Sequence, residues 1–166
     1  TTTNYITDTQ AHALDFLAEM DRLTYAIDGH KPTFYVTNDV GLRKINQALR
    51  IAAVLNQNKD QFGNLVTMWG NNVPIYDIGV KADQTTKVMP DEVIAGTLSA
   101  GDYFSIYAVK IGEGMDFWGI QKHALEVKNL GLMEDCVTYR TNVNWPVGLA
   151  MINKRSVARL YGIRKA

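Results

Sequence analysis

Three histidines, His12, His30 and His123, are the neutral-pH bases that a nucleophilic enzyme would draw on. His12 sits beside the apolar stripe of a helix pattern, His30 in a turn and His123 at a strand junction, and none stands in a catalytic motif. None has a His or Cys partner at metal-ligand spacing, so no metal centre is expected. The pairs Asp91-Glu92 and Glu134-Asp135 have the residue type for general acid and base work, yet adjacent loop carboxylates read as solvated charge. Gly112-Glu113-Gly114-Met115-Asp116-Phe117-Trp118-Gly119 follows a strand pattern as a dinucleotide loop does. Phe117 stands where the third glycine belongs, however, and no helix pattern follows to aim an N-terminus at phosphate. There is no Walker-type Gly-Lys-Ser/Thr and no Gly-x-Ser-x-Gly elbow. Only Arg140 and Trp145 approach the basic and aromatic interleaving of a nucleic-acid groove, and their opposite parity puts them on opposite faces of a strand. No catalytic residue, cofactor-binding residue or metal ligand is assigned, no cofactor is expected, and the chain is not read as an enzyme.

Composition bounds the alternatives. The 166 residues, 46% hydrophobic and 20% charged, suffice for one compact domain with a real core. Basic and acidic residues cancel at 17 each, which argues against a strongly basic nucleic-acid binder. Their distribution is uneven. The 31 residues from Cys136 to Ala166 hold Arg140, Lys154, Arg155, Arg159, Arg164 and Lys165 with no Asp or Glu, leaving the first 135 residues 11 basic and 17 acidic groups. A neutral whole made of a −6 and a +6 segment suits head-to-tail contact between copies, or one face turned to a polyanion. Cys136 is the single cysteine, which fits a reducing compartment and supplies no disulfide framework. No run approaches the roughly eighteen apolar residues of a membrane span, and Thr1-Thr2-Thr3-Asn4 lacks a signal pattern, so a soluble chain without a membrane partner is expected.

The elements that must carry these residues follow from periodicity. Ala13, Phe16, Leu17, Met20, Leu23 and Ile27 predict a helix over 7–27, opened by a Thr7/Gln10 capping box and stopped by Gly29 and Pro32. Thr33 to Val36 reads as a buried strand, after which Asn38 or Asp39 caps a second helix with Leu42, Ile45, Leu49 and Ala52 on its inner stripe. Leu65 to Trp69 and Val73 to Ile78 flank Gly70-Asn71-Asn72 as a hairpin. Ala82 to Gly101 is aperiodic and predicts a long surface loop. Phe104 to Ile111 is a further strand, and Phe117 to Val127 one or two more. Val137, Tyr139, Thr141, Val143, Trp145, Val147, Leu149 and Met151 occupy every second position, predicting one very long strand in which Pro146 and Gly148 mark an edge, bulge or bend. Trp69, Trp118 and Trp145 read as core or interface anchors. Asn153 is expected to cap a short basic helix, Lys154 to Tyr161, ended by Gly162. Helices first and strands later make the chain α+β, with a mixed or antiparallel sheet.

The order of these elements resembles the later part of the major capsid protein of tailed bacteriophages, the Hong Kong 97 type fold. Phe34-Tyr35-Val36-Thr37-Asn38-Asp39 and the Leu42/Ile45/Leu49 helix are similar to the strand-to-helix step of that family's axial domain. Trp69-Gly70-Asn71-Asn72-Val73-Pro74-Ile75 is similar to its hairpin, and Arg140 to Ile163, above all Trp145 to Leu160, to its closing strand and helix. The resemblance runs from about Thr7 to Ile163 and implies an axial-type α+β core over 1–135, a long peripheral-domain strand over 136–153, and a short basic C-terminal helix and tail over 154–166, packed as one unit. The family's N-terminal arm, long hairpin loop and spine helix have no counterpart here, which gives the chain the look of a fragment. The resemblance implies a structural subunit that assembles with itself into pentamers and hexamers of an icosahedral shell. That shell is the virion head of a phage or prophage, made in the bacterial cytoplasm, with DNA contacted non-specifically and scaffolding or portal proteins as partners. Arg140, Arg155 and Arg159 are then the candidate inter-subunit contacts, and the 82–101 loop lies near a ring axis or a neighbour. An encapsulin-like compartment shell shares the fold and encloses something else. A small-ligand or enzymatic domain with the 82–101 loop as a lid is the alternative from another class.

Overall fold

A computed structural model describes residues 10–59, 61–92, 103–132 and 138–164. The first helix, α1, spans Gln10–Ala26 and buries Ala13, Phe16, Leu17, Met20 and Leu23, the stripe its spacing predicts. Thr7 of the expected capping box lies outside the described residues. The chain leaves α1 through a single 3-10 turn, Asp28–His30, where Gly29 takes φ 72°, a left-handed conformation that stops the helix. Strand β1 (Phe34–Thr37) follows, then α2 (Asp39–Ile51). Asn38 is the cap of α2, its side chain accepting a hydrogen bond from the Gly41 amide at 2.8 Å. Gly41 is forced by packing: a Cβ there would collide with Thr37 Oγ1 and stand 2.9 Å from the Phe104 ring.

Strands β2 (Asn56–Lys59), β3 (Leu65–Trp69), β4 (Val73–Asp77), β5 (Tyr103–Val109) and, at the end of the chain, β10 (Val157–Arg164) form one six-stranded sheet with β1. Its order is β10-β5-β1-β4-β3-β2, with β1 and β4 parallel and every other pair antiparallel. Tyr35, Ile75, Ala108 and Ala158 stand side by side in the register, on the face that α1 and α2 cover. That face, with Phe104, Ile106 and Ile163, and the helix stripes Phe16, Met20, Ile45 and Leu49 make the core.

Two sequence expectations are corrected here. Lys154 to Tyr161 is not a helix: β10 pairs with β5 through Val157↔Val109, Ala158↔Ala108, Arg159↔Tyr107 and Leu160↔Ile106. An open β5 edge presents backbone groups that only another strand satisfies, and Gly162 at φ 77° accompanies a shift of register that brings Ile163 back to the core face. Asn153, expected to cap that helix, instead closes a turn: Ser156 Oγ and Ser156 N both donate to Asn153 O, at 2.6 and 3.1 Å. The single fifteen-residue strand is likewise two, β8 (Tyr139–Asn144) and β9 (Val147–Met151). The ladder breaks at Trp145-Pro146, because proline has no amide to give it.

Between β5 and β10 the chain makes an excursion whose described strands pair with one another and not with the main sheet. Strands β6 (Phe117–Gln121) and β7 (Glu126–Leu132) run out, and β8 and β9 return. β7 pairs with β8 and β6 with β9, so the described residues of 117–151 form a two-stranded ribbon interrupted once on each arm. At its root, Lys110 N donates to Ser156 O at 2.8 Å and Ile152 N to Asp116 O at 3.1 Å. Buried Asp116 pairs with Lys110 Nζ at 3.3 Å, and Asn153 Nδ2 reaches Asp28 Oδ2 at 2.9 Å. The Gly112-to-Gly119 segment is thus the turn that opens the ribbon, Asp116 N returning to Gly112 O at 3.0 Å.

Candidate functional site

The ribbon's composition is that of an interior, and its surroundings are solvent. Ile120, Val127, Leu130, Leu132, Tyr139, Val143, Trp145, Val147, Leu149 and Met151 are all exposed, Leu149 to 72% and Trp145 to 56%. Every residue of β8 is exposed, so the period-two pattern sets an apolar row that no layer of the described residues covers. Ten exposed large apolar side chains on one ribbon mark an interaction site, and a bare two-stranded ribbon is marginal until something packs on it. A cleft of about 740 Å³ lies on the β6–β9 part, walled by Trp118, Ile120, Trp145, Val147 and Leu149, with Glu113 and Gln121 as its polar members. Trp145 Nε1 donates to Gln121 Oε1 across it at 3.2 Å. Trp145 is therefore a surface anchor, and the core alternative for it is set aside.

Of the three candidate arginines, Arg140 is exposed on β8. Arg155 is exposed at the ribbon root, where its Nε donates to Ala26 O at 3.4 Å and its carbonyl accepts from Asp28 N at 3.0 Å. Arg159, on β10, is engaged within its own chain. Its Nη2 donates to Glu92 Oε1 at 2.6 Å, its Nε to Ser105 Oγ at 3.2 Å, and its guanidinium carbon lies 5.5 and 5.6 Å from the Tyr107 and Tyr161 ring centres. Of these partners sequence spacing brings only Tyr161 near, two residues along the same strand.

The described part of the 82–101 loop is pinned. Lys87 Nζ lies 2.8 Å from Asp39 Oδ1 and 3.5 Å from Asp91 Oδ2, while Asp91 Oδ1 accepts from Asn38 Nδ2 at 3.0 Å. Lys87 thereby holds the Asp39 carboxyl below the ordinary aspartate range, its hydrogen bond outweighing the effect of burial, and is itself raised by the same bond. Asp83 closes the loop's tip on the Thr85 and Thr86 amides at 3.0 and 2.8 Å and on the Thr86 hydroxyl, the largest cause of its lowered pKa. Asp91 and Glu92 are thus structural acceptors rather than an acid and base pair. Residues 93–102, together with Glu134, Asp135 and Cys136, lie outside the described residues. His12 is exposed, and the Nδ1 atoms of His30 and His123 bond the backbone carbonyls of Tyr25 and Ala124 at 3.2 and 2.8 Å. Among the described residues no three His, Cys, Asp or Glu side chains gather to hold a metal, and no helix is long and apolar enough to cross a membrane.

No family model and no curated protein matches the chain. Among solved structures it is similar to the holo-SrpI encapsulin complex from Synechococcus elongatus PCC 7942, determined by cryo-EM, with a TM-score of 0.64 at 16% identity. The match covers 90% of this chain and 50% of that one, so the chain spans about half the length of the encapsulin subunit. At this identity the likeness is one of fold: the chain has the α+β fold of a capsid-type shell protein.

Proposed function

We propose that the chain is a structural subunit of a self-assembling protein shell. The observation that carries the reading is the 117–151 ribbon, apolar on a scale that demands a partner and carried on a fold shared with an encapsulin subunit. In a ring of identical copies, one subunit's ribbon is covered by its neighbour, and the basic residues Arg140 and Arg155 meet the acidic first part of the next chain. Arg159 contributes second, being committed to Glu92. No catalytic step is assigned to the subunit. The enclosure is the head of a tailed phage or prophage, filled with DNA that touches the shell non-specifically, with scaffolding and portal proteins as further partners. An encapsulin-like compartment around protein cargo is the second reading, favoured by the identity of the structural neighbour.

The full-length protein, purified and imaged by negative-stain electron microscopy, is expected to form closed particles or rings. Replacing both Val147 and Leu149 by Asp on the exposed ribbon is expected to abolish them while moving the melting temperature by no more than about 3 °C, as for surface changes. Undiminished particles in that variant refute the ribbon as the assembly surface. Nuclease-protected DNA inside the particles supports the phage reading, and a co-purifying enclosed protein supports the compartment.

A further inference from the structure

Away from the ribbon, a small pocket of about 220 Å³ lies between α1, β1 and the β3–β4 turn. Asp21, Thr24, Tyr25, His30 and Tyr35 line it, with Gly70, Asn71 and Val73 of the turn. Tyr35 is fully buried, and its hydroxyl sits 2.6 Å from Thr24 Oγ1. Thr24 has one hydroxyl proton, which it gives to Met20 O at 2.9 Å, so in the short contact Tyr35 donates and Thr24 accepts. The Tyr35 oxygen is left with unused lone pairs and no proton. His30 Nδ1 faces the Tyr25 carbonyl at 3.2 Å, and since a carbonyl only accepts, Nδ1 carries a proton and donates it there. The Asp21 carboxylate has no ion-pair or hydrogen-bond partner among the described residues. Asp21 and Tyr35 line the same pocket; burial pushes the Asp21 pKa up, and burial first, with the Asp21 charge adding to it, raises that of the Tyr35 hydroxyl. The Tyr25 and His30 rings, 5.0 Å apart and edge to face, make an aromatic wall.

Two acceptors, the Asp21 carboxylate and the Tyr35 oxygen, beside two aromatic rings and with Asn71 supplying the one side-chain amide donor of the lining, suit a ligand that is cationic, rich in N–H groups and small. We propose that this pocket binds a guanidinium or alkylammonium group. Its volume accommodates the head of an arginine or lysine side chain, or a small free amine. The first source is a neighbouring copy of the chain and rests on the shell reading; the second is independent of it.

The test is saturation-transfer NMR on the full-length protein titrated with Nα-acetyl-arginine methylamide, and with the citrulline analogue, which keeps the shape and loses the charge. The arginine probe is expected to saturate and the citrulline probe to show no saturable binding. Asp21→Asn is expected to weaken the arginine probe about tenfold, the loss of one charge-assisted contact. Tyr35→Phe, which keeps the ring in the core, is expected to weaken it by a smaller factor. Melting curves of both variants verify that the fold is intact, and Thr24→Val, which removes the hydroxyl that orients Tyr35, is the second probe should Tyr35→Phe unfold. No saturable binding to the wild type, or unchanged affinity in Asp21→Asn, overturns the proposal. If Asp21→Asn also lowers the assembled fraction and the arginine probe competes with assembly, the cation belongs to a neighbouring subunit; if binding is lost and assembly is untouched, it is a free amine. Should the wild type not assemble at all, the shell reading fails while the titration still decides the pocket.

Discussion

Replacing Arg159 by Ala tests whether its guanidinium serves its own fold before any neighbour. The substitution removes an ion pair at 2.6 Å to Glu92, a hydrogen bond at 3.2 Å to Ser105 and contacts with two tyrosine rings. The Arg159 side chain is 44% exposed and Glu92 22%, so the pair is discounted toward the surface value. That leaves about 1 kcal/mol for the ion pair, about 1 for the hydrogen bond and about 0.5 for each ring face. The expected loss is therefore about 3 kcal/mol, or about 6 to 12 °C in melting temperature for a chain of this size. Denaturant unfolding of the wild type, Arg159→Ala, Glu92→Gln and the double variant closes a cycle, in which a coupling of about 1 kcal/mol is expected. Arg159→Lys, which keeps the charge and loses the planar fork, is expected to fall between. An Arg159→Ala loss below about 0.5 kcal/mol with no coupling refutes the reasoning and returns Arg159 to the set of arginines free to serve an interface.

Two further outcomes follow from the α2 end of the sheet. Gly41→Ala is expected to cost about 3 kcal/mol, since the added carbon collides with Thr37 Oγ1 and the Phe104 ring beneath a buried helix start; chemical denaturation with an unchanged midpoint contradicts the packing. The Asp39–Lys87 pair predicts a pH dependence of both signs. Asp39 is lowered, so its contribution is present above the ordinary aspartate range and is lost as pH falls through the folded-state value; Lys87 is raised, so its contribution is lost as pH rises past the ordinary lysine range. Lys87→Met is expected to flatten the acid and alkaline limbs of a stability-versus-pH profile, and superimposable profiles refute the linkage.

The parts of the fold legible in the sequence are those whose signal is local. The α1 stripe repeats at helical spacing, Asn38 precedes its helix by one residue, and Gly70-Asn71-Asn72 carries the conformational freedom that a hairpin needs, Gly70 and Asn72 both taking positive φ. What was misread depends on a distant partner. β2 contains no apolar residue and is a strand only because β3 pairs with it. Val157, Leu160 and Tyr161 fit a helix spacing, and the β5 edge overrules it. The alternation from Val137 to Met151 marks strand, two strands rather than the one expected, and an alternation alone does not say what covers its apolar row. Neither the Asp21–Tyr35 pocket nor the Glu92–Arg159 pair could be found by spacing, because the packing of α1 on the sheet brings the first together and the pairing of β10 with β5 the second.

The ribbon's two ends leave from β5 and β10, which are neighbours in the sheet, and the Lys110-to-Ser156 bond ties them at a single neck. The 111–153 excursion is therefore a cassette: residues added to or removed from both arms together change how far it reaches, by about 3.4 Å for each matched pair, without shifting one core residue of the sheet. In the shell proposed for this chain, lattices of different spacing would be open to the same core through insertions of this kind, and the neck, where Asp116 and Asn153 converge, is where load along the arm would enter the sheet.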